Sequence, residues 1–470
     1  MTQVKKSFLK LGLISSLVFT SIISNAQNSN SFSVKQAVEY GLKNAVQVKN
    51  ALLDIQIQQQ VNKQITAVAM PQVNASAGLT RYFDIPVQSL PNFISPATYQ
   101  VLVDEGVKNG NGSPITFPNG GNFGNIAAQF GVPWIANAGI DVSQLLFDGQ
   151  VFVGLQARDA VLKFAKKNVE VTQEQIKTNI HKIYYQLVVG KKQLGAVDAN
   201  IIRFEKLLYD VKEIYKNGFA ERLDIDKVQV QLNNLTTEKQ KIENLLAIGN
   251  AGLKFLINMP QKETLALSDT LSETFIKDNI LDESYDYKNR KEFQLLSIAQ
   301  QLGEYNIKRY KLSKLPTVAA FASFSKNAQR SSFNFFNKGD WFSTSLAGLK
   351  ISVPIFEGNK KNALIQQSKY ELQKTKNNIA QLQQAIDYDV NTARVNVKSA
   401  ILTIDVQNQN MLLAEKVYNT TKKKFEQGLG SNQEIYTAQA ELKVAQINYY
   451  SALYDAINAK IDYLKATGKL

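Results

Sequence analysis

Cysteine is absent from the 470 residues and histidine occurs once, as His181. Disulfide frameworks, cysteine nucleophiles and Cys/His zinc sites are thereby excluded, and no second imidazole exists to share a metal or build a triad. His181 follows the apolar position Ile180 on a long helical stretch and reads as a plain helix-surface residue. Long apolar runs are also missing: beyond residue 26 no segment approaches the ~18 residues of a membrane-spanning helix. Acidic residues are outnumbered, 40 against 54 basic ones, for a net charge of +14. The charges are interspersed, with no dense Arg run or base-stacking aromatic array, which argues against nucleic acid as a partner.

The first 26 residues account for part of that charge. Lys5, Lys6 and Lys10 precede an apolar, Ser-rich run from Leu11 to Ile23, and Ser24-Asn25-Ala26 places small residues three and one before a cut. This predicts a secretory signal peptide over 1–26, its apolar run of about 13 residues being too short to span a bilayer. The remaining chain would carry +11 in a cell envelope or outside it.

Proline and glycine are unevenly spent. Six of the ten prolines (Pro86, Pro91, Pro96, Pro114, Pro118 and Pro133) lie between residues 84 and 133, with Asn109-Gly110-Asn111-Gly112 and Asn119-Gly120-Gly121-Asn122. That segment reads as a long irregular loop. Residues 359–427 and 431–467 contain neither Gly nor Pro and are separated only by Gly428-Leu429-Gly430. Two helices joined by a tight turn are predicted, the first a rod of roughly 100 Å at ~1.5 Å per residue.

The apolar spacing shows how such rods pack. Ile386, Val390, Ala393, Val397, Ala400, Ile404, Met411, Ala414, Tyr418 and Phe425 follow the 3.5-residue seam of a coiled coil. The same register occurs 210 residues earlier, from Ile176, Ile180, Ile183 and Leu187 through Phe204, Leu208, Val211 and Tyr215. The turn repeats at that offset as Gly218-Phe219-Ala220, and returning helices carry Ile225, Val228, Leu235 and Ile242 in one half and Ile435, Ala438, Leu442 and Ala445 in the other. The chain is an internal duplication of a long helical hairpin.

Upstream of each hairpin the period drops to two. Val73, Ala75, Ala77 and Leu79 alternate with polar residues after Pro71, and Ala136, Ala138, Ile140 and Val142 do so between about Trp134 and Phe147. The second half repeats this with Val318, Ala320, Ala322 and Phe324, then Leu349, Ile351 and Val353. Such alternation fits barrel strands with a lipid face and a polar lumen, or an ordinary soluble sheet. Trp134 and Trp341, the only tryptophans, open the second strand of each pair, where an interfacial aromatic girdle would put them. Four strands cannot close a barrel alone, so membrane insertion requires pooling by two, three or four copies.

Taken together these features resemble the TolC family of outer-membrane efflux proteins. Met70-Pro71 and Leu315-Pro316 stand at the helix-to-strand junctions, and Leu146-Phe147-Asp148-Gly149 and Ile355-Phe356-Glu357-Gly358 at the strand-to-helix junctions. Asn289-Arg290-Lys291-Glu292 is similar to the family's Asn-Arg-Pro-Glu, with Lys291 in place of Pro. The resemblance implies a mixed α/β membrane protein, mainly coiled-coil hairpins plus four β-strands contributed to a shared trimeric β-barrel. It divides the chain into 1–26 signal peptide, 27–258 first repeat, 259–286 equatorial linker and 287–470 second repeat. It implies no enzyme, cofactor or metal, but a passive outer-membrane conduit extending into the periplasm, coupled through a periplasmic adaptor protein to an inner-membrane transporter.

By the same resemblance Gly218, Phe219, Ala220, Gly428, Leu429, Gly430 and Ser431 are adaptor-contact tips, although any hairpin turn needs such glycines. Asp224 and Glu434 match acidic positions at the periplasmic entrance, where three copies would make carboxylate rings that favour cations. The family's second acidic position is occupied by Thr437, and an Arg that locks some members closed is replaced by Gly430. Three other classes are less consistent with the pattern. A periplasmic adaptor typically has one hairpin rather than two, a glycosidase needs carboxylates converging in a cleft, and a purely structural coiled coil leaves the strands unexplained.

Overall fold

The change of hydrophobic period marks the change of secondary structure. A computed structural model describes residues 30–118, 121–269, 276, 284–337 and 339–470; the signal segment lies outside them and the 259–286 linker partly so. In chain order the first half holds β1 (Asn30–Phe32), α1 (Val34–Asn44), α2 (Val46–Val68), β2 (Gln72–Arg81), β3 (Val87–Pro91), α3 (Ile94–Asp104), β4 (Asn125–Gln129), β5 (Trp134–Phe147), α4 (Gly149–Lys216) and α5 (Arg222–Leu256). There follow β6 (Leu265–Leu267), α6 (Lys291–Leu312), β7 (Thr317–Arg330), β8 (Phe342–Ser352), α7 (Lys360–Glu426) and α8 (Asn432–Ala466). Two compact units result, one of the described residues within 30–60, 157–304 and 367–470, the other of those within Val61–Gln156 and Tyr305–Gln366, each drawing on both halves of the duplication.

The second unit is built on an antiparallel sheet of order β2-β5-β7-β8. Its register sets Ala75 opposite Ile140 and Ile140 opposite Phe324, while Ala320 faces Leu349 and Val318 faces Ile351. Successive side chains alternate between faces, so these apolar residues share one side. Asn74, Asp141 and Ser323 form a row on the other. Val73, Leu79, Ile140, Phe324, Leu349 and Ile351 are exposed although apolar. β2 and β8 are the outer strands, each paired on one side only.

Residues 84–133 depart from the expected irregular loop. β3 and β4 pair antiparallel from Val87 opposite Gln129 to Pro91 opposite Asn125, and α3 lies between them in sequence. The prolines are compatible with these elements because they sit at element ends. Pro91 closes β3, and Pro96 is the third residue of α3, where an N–H has no intrahelical acceptor. Tyr99, Phe117 and Phe123 form a small aromatic cluster, with ring centroids 5.5 to 6.3 Å apart.

The Asp148-Gly149 junction shows why those residues start α4. Asp148 Oδ1 accepts from the N–H groups of Gln150 and Val151 at 2.7 and 3.1 Å, capping the helix. A Cβ on Gly149 would collide with the carbonyl oxygen of Leu312, so only glycine lets α4 start against the end of α6.

In the helical unit the seam residues are the core. Ile180, Phe204 and Val211 of α4 are buried with Val228, Leu235 and Leu253 of α5, and Ile386, Val390, Val397 and Ile404 of α7 with Leu442, Ile457 and Ile461 of α8. The α4 seam stops short of Tyr215, which is exposed. Between residues 184 and 189 burial widens beyond one seam to Tyr184, Tyr185, Val188 and Val189, because Ala37, Val38, Ala45 and Val48 of α1 and α2 join the same cluster. Tyr184 donates from its hydroxyl to the carbonyl of Phe32 at 2.8 Å, and β1 pairs in parallel with β6.

His181, expected on the surface, is half-buried. Burial pushes its imidazole pKa down, and Nδ1–H donates to the Lys177 carbonyl at 2.8 Å.

Candidate functional site: the hairpin turns and their flanks

Both hairpins turn by the same main-chain device. Gly218 and Gly428 have φ of +80° and +74°, a conformation that glycine adopts without a Cβ penalty. Gly218 N–H donates to Tyr215 O and Phe219 N–H to Ile214 O, at 2.9 and 3.1 Å. Gly428 and Leu429 repeat this with Phe425 O and Lys424 O, both at 2.9 Å. This is the Schellman ending, in which the residue after the glycine normally packs back on its helix. Here Phe219 is 85% exposed and Leu429 77% exposed. Ala220 and Gly430 are half-buried beside them, and Ser431 is the N-cap of α8, its Oγ accepting from Glu434 N–H at 3.2 Å.

Asp224 and Glu434 occupy equivalent places, each the third residue of a returning helix. The Asp224 carboxylate accepts from the N–H of Glu221 at 3.2 Å, so it ties down its own helix start. A negative charge there also complements the positive end of the helix dipole. Glu434 is exposed. The two turns are joined by a residue that sequence reasoning passed over: Tyr436, buried on α8, donates from its hydroxyl to the main-chain carbonyl of Asp224 at 2.9 Å. Burial, and then the Asp224 charge, push the phenol pKa well above its ordinary value.

Gln439, one turn beyond Tyr436, is fully buried, and neither its amide oxygen nor its amide nitrogen has a hydrogen-bond partner among the described residues. Polar contacts join the neighbouring helices further along. Asn200 of α4 donates to Gln446 of α8 at 2.8 Å and accepts from Arg203 at 2.9 Å, while the Arg203 guanidinium lies 5.5 Å from the centre of the Tyr418 ring. Lys239 of α5 pairs with Asp198 of α4 at 2.8 Å.

The Asn289–Glu292 stretch forms a second polar centre at the start of α6. Arg290 is buried, with Nε 3.2 Å from Glu292 and Nη1 3.3 Å from the carbonyl of Ala466, the last residue of α8. Its Nη1 also lies 3.7 Å from Asp389 of α7, so one guanidinium ties three helices together. Tyr285 and Tyr287 both donate to Asp387, and that bond pushes the Tyr285 phenol up to about 12. Glu174 is buried with Oε2 unpartnered among the described residues. Burial, and then the charge of Glu292, push its carboxyl up despite Arg290, Lys291 and Lys465.

In the sheet unit, Trp134 is the first residue of β5 and Trp341 directly precedes β8. Trp134 meets Phe333 edge-on at 5.1 Å and lies under the Arg81 guanidinium at 5.2 Å, and Trp341 lies 6.4 Å from Phe335. Both tryptophans therefore belong to an aromatic fringe at one end of the strands. Among the described residues no group of three or more His, Asp or Glu is placed to hold a metal, and no helix is long and apolar enough to cross a membrane.

Residues 287–469 match the family model described as outer membrane efflux protein. Among curated proteins, the chain is 21% identical over 344 residues to an outer membrane protein TolC of Vibrio cholerae, covering 72% of this chain and 77% of that one. It is 20% identical over 339 residues to the alkaline protease secretion protein AprF of Pseudomonas aeruginosa, covering 70% and 68%. Among solved structures it is similar to the outer membrane protein VceC of Vibrio cholerae, with a TM-score of 0.69 at 14% identity over 93% of this chain and 96% of that one.

Proposed function

We propose that the chain, similar over residues 287–469 to the outer membrane efflux proteins and along most of its length to a TolC, is the exit duct of a tripartite efflux or type I secretion machine. Its place is the outer membrane, with an extension into the periplasm. The duct is a passive conduit rather than an enzyme. An inner-membrane pump supplies the energy, and a periplasmic adaptor connects the two.

The observation that carries this reading is the sheet. Four strands leave the edges of β2 and β8 unpaired and an apolar face exposed. In lipid each unpaired amide costs several kcal/mol, so only closure with strands of other copies makes the sheet stable there. Three copies pool twelve strands around a lumen lined by Asn74, Ser76, Asp141 and Ser323, and the aromatic fringe around Trp134 and Trp341 meets the interface with outer-membrane lipid. The repeats 27–258 and 287–470 each give two strands and one hairpin, with 259–286 linking them. Asp224 and Glu434 then form rings at the periplasmic entrance, and Phe219 and Leu429, apolar and free at the turns, are where an adaptor docks.

The test is the mass of the detergent-extracted protein by light scattering, with the detergent contribution subtracted. Three chains per particle from the outer-membrane fraction are expected. A monomer in the soluble periplasmic fraction would remove the only means of closing the barrel and overturn the proposal.

A further inference from the structure

We propose that the β8–α7 junction is a binding site for the headgroup phosphate of an anionic phospholipid, held by Lys314, Lys360 and Lys361 beside the apolar pair Ile355-Phe356. This rests on the outer-membrane duct proposed above.

The three lysines come from two separate stretches of chain and line one cavity of about 200 Å³ together with Ile355, Phe356 and Glu357. Lys361 lies 3.3 Å from Glu357, Lys314 donates to the side-chain oxygen of Asn362 at 2.6 Å, and Lys360 has no ion pair among the described residues. Three ammonium groups thus meet one carboxylate, and the rest of their charge is uncompensated. Lys360 and Lys361 also open α7, against the positive end of the helix dipole, where acids are favoured and this helix has none.

The duplication shows that the fold does not require these charges. Aligning Met70-Pro71 with Leu315-Pro316, and Phe147-Asp148-Gly149 with Phe356-Glu357-Gly358, puts Ala69 in the place of Lys314, Val151 in that of Lys360 and Phe152 in that of Lys361. The first repeat therefore builds the same junction from apolar residues, and packs Phe147 on Phe152 with ring centroids 5.5 Å apart. In the second repeat Lys361 stands where that ring partner would be, and Phe356 and Ile355 are 82% and 94% exposed. An exposed apolar pair among unbalanced cations is complementary to an anion that carries hydrocarbon.

Position identifies the anion. Leu349 and Ile351 are exposed in alternation along β8, and Val353 and Ile355 continue the spacing just beyond it. This is the face that the proposed barrel turns to lipid, so the cavity lies where the apolar band ends and headgroups begin. A free phosphate or a nucleic acid would gain nothing from Ile355 and Phe356. The opposite end of the same sheet has no such cluster, since residues 82–133 contain one Lys against three acids.

The full chain is extracted in detergent and titrated with lipid under native mass spectrometry. Dioleoyl phosphatidylglycerol is expected to bind about tenfold or more tightly than dioleoyl phosphatidylcholine. Lys314→Ala with Lys360→Val and Lys361→Phe, which installs the residues of the first repeat, is expected to abolish that preference. Lys212→Ala with Lys241→Ala and Lys398→Ala, which removes as much charge from exposed positions of the helical unit, is expected to keep it. Ile355→Ser with Phe356→Ser is expected to remove the advantage of the dioleoyl over the dihexanoyl lipid, and an unchanged advantage overturns the apolar contact. Three-chain particles of the parent that bind both dioleoyl lipids equally overturn the site and leave the duct standing, a result that needs no variant to fold. Single-chain particles from the periplasmic fraction overturn both. A preference that survives the junction substitutions, or that the control substitutions abolish equally, overturns the site as well. Displacement of phosphatidylglycerol by inorganic phosphate at equal concentration would make the occupant a free anion and also overturn it.

Discussion

Tyr436 on α8 holds the main-chain carbonyl of Asp224 on α5 at 2.9 Å, a bond between residues 212 apart that joins the two hairpin turns. It is a direct side-chain link between the first turns of the two returning helices. Tyr436→Phe removes the donor while keeping the ring, at a cost of about 1 kcal/mol. In planar bilayers this variant is expected to conduct more than the parent at equal potential. The phenol pKa is raised on folding, so its contribution is complete below the ordinary tyrosine value near 10 and is lost as pH rises through the higher folded value. Conductance of the parent should therefore be insensitive to this group between about pH 5 and 9, and equal conductance of parent and variant would show that the bond does not hold the entrance.

Asp224 and Glu434 need a substitution that separates field from capping. Asp224→Asn keeps a side-chain oxygen to accept from Glu221 N–H, whereas Asp224→Ala does not and costs about 0.5–2 kcal/mol through the helix start. With Asp224→Asn and Glu434→Gln combined, the cation preference read from the reversal potential in a salt gradient is expected to fall. The thermal transition should move little. Unchanged selectivity would leave both acids as helix-start residues only.

Glu174 tests the polar centre at Arg290. Its carboxyl pKa is raised on folding, so the protonated form is the one the folded state favours. That contribution is whole below the ordinary glutamate value of 4.5 and is lost as pH rises through the folded value, above which burial and the charge of Glu292 count against the folded state. Glu174→Gln is therefore expected to raise the apparent melting temperature by about 2 °C at pH 7 and to have little effect near pH 4. An equal effect at both values would exclude the charge as its cause.

The elements that were legible in the sequence carry a period. β5 begins at Trp134 and ends at Phe147, where the alternation starts and stops, and α7 fills the Gly- and Pro-free run between Asn359 and Gln427. The 210-residue offset by itself pairs Gly218 with Gly428 and Asp224 with Glu434. What stayed hidden depends on neighbours distant in sequence. Tyr436 looks like a helix residue until α5 is beside it, and Tyr184 and Tyr185 are buried because α1 and α2 join the core there. Residues 84–133 read as a loop because a proline that ends a strand and one that breaks it look alike in composition. Gln439 is indistinguishable in sequence from the exposed Gln433 of the same helix.

Gln439 has both amide atoms buried and unpartnered among the described residues at the level of the hairpin ends, with Tyr436, Ala438 and Leu442 buried on the same helix. An unsatisfied buried amide costs about 1–3 kcal/mol, so the packed arrangement is held below the stability an apolar core would give it. Gln439→Leu keeps the bulk and removes both orphaned groups. It is expected to raise the apparent melting temperature by about 2–4 °C. If the amide is solvated when the helices separate, the same change also favours the packed hairpin ends, and, if these form the proposed entrance, steady conductance falls while the conductance of Tyr436→Phe rises. A Leu variant less stable than the parent would mean that the amide is satisfied within the assembled channel, and would move its role from loosening the helix ends to holding them.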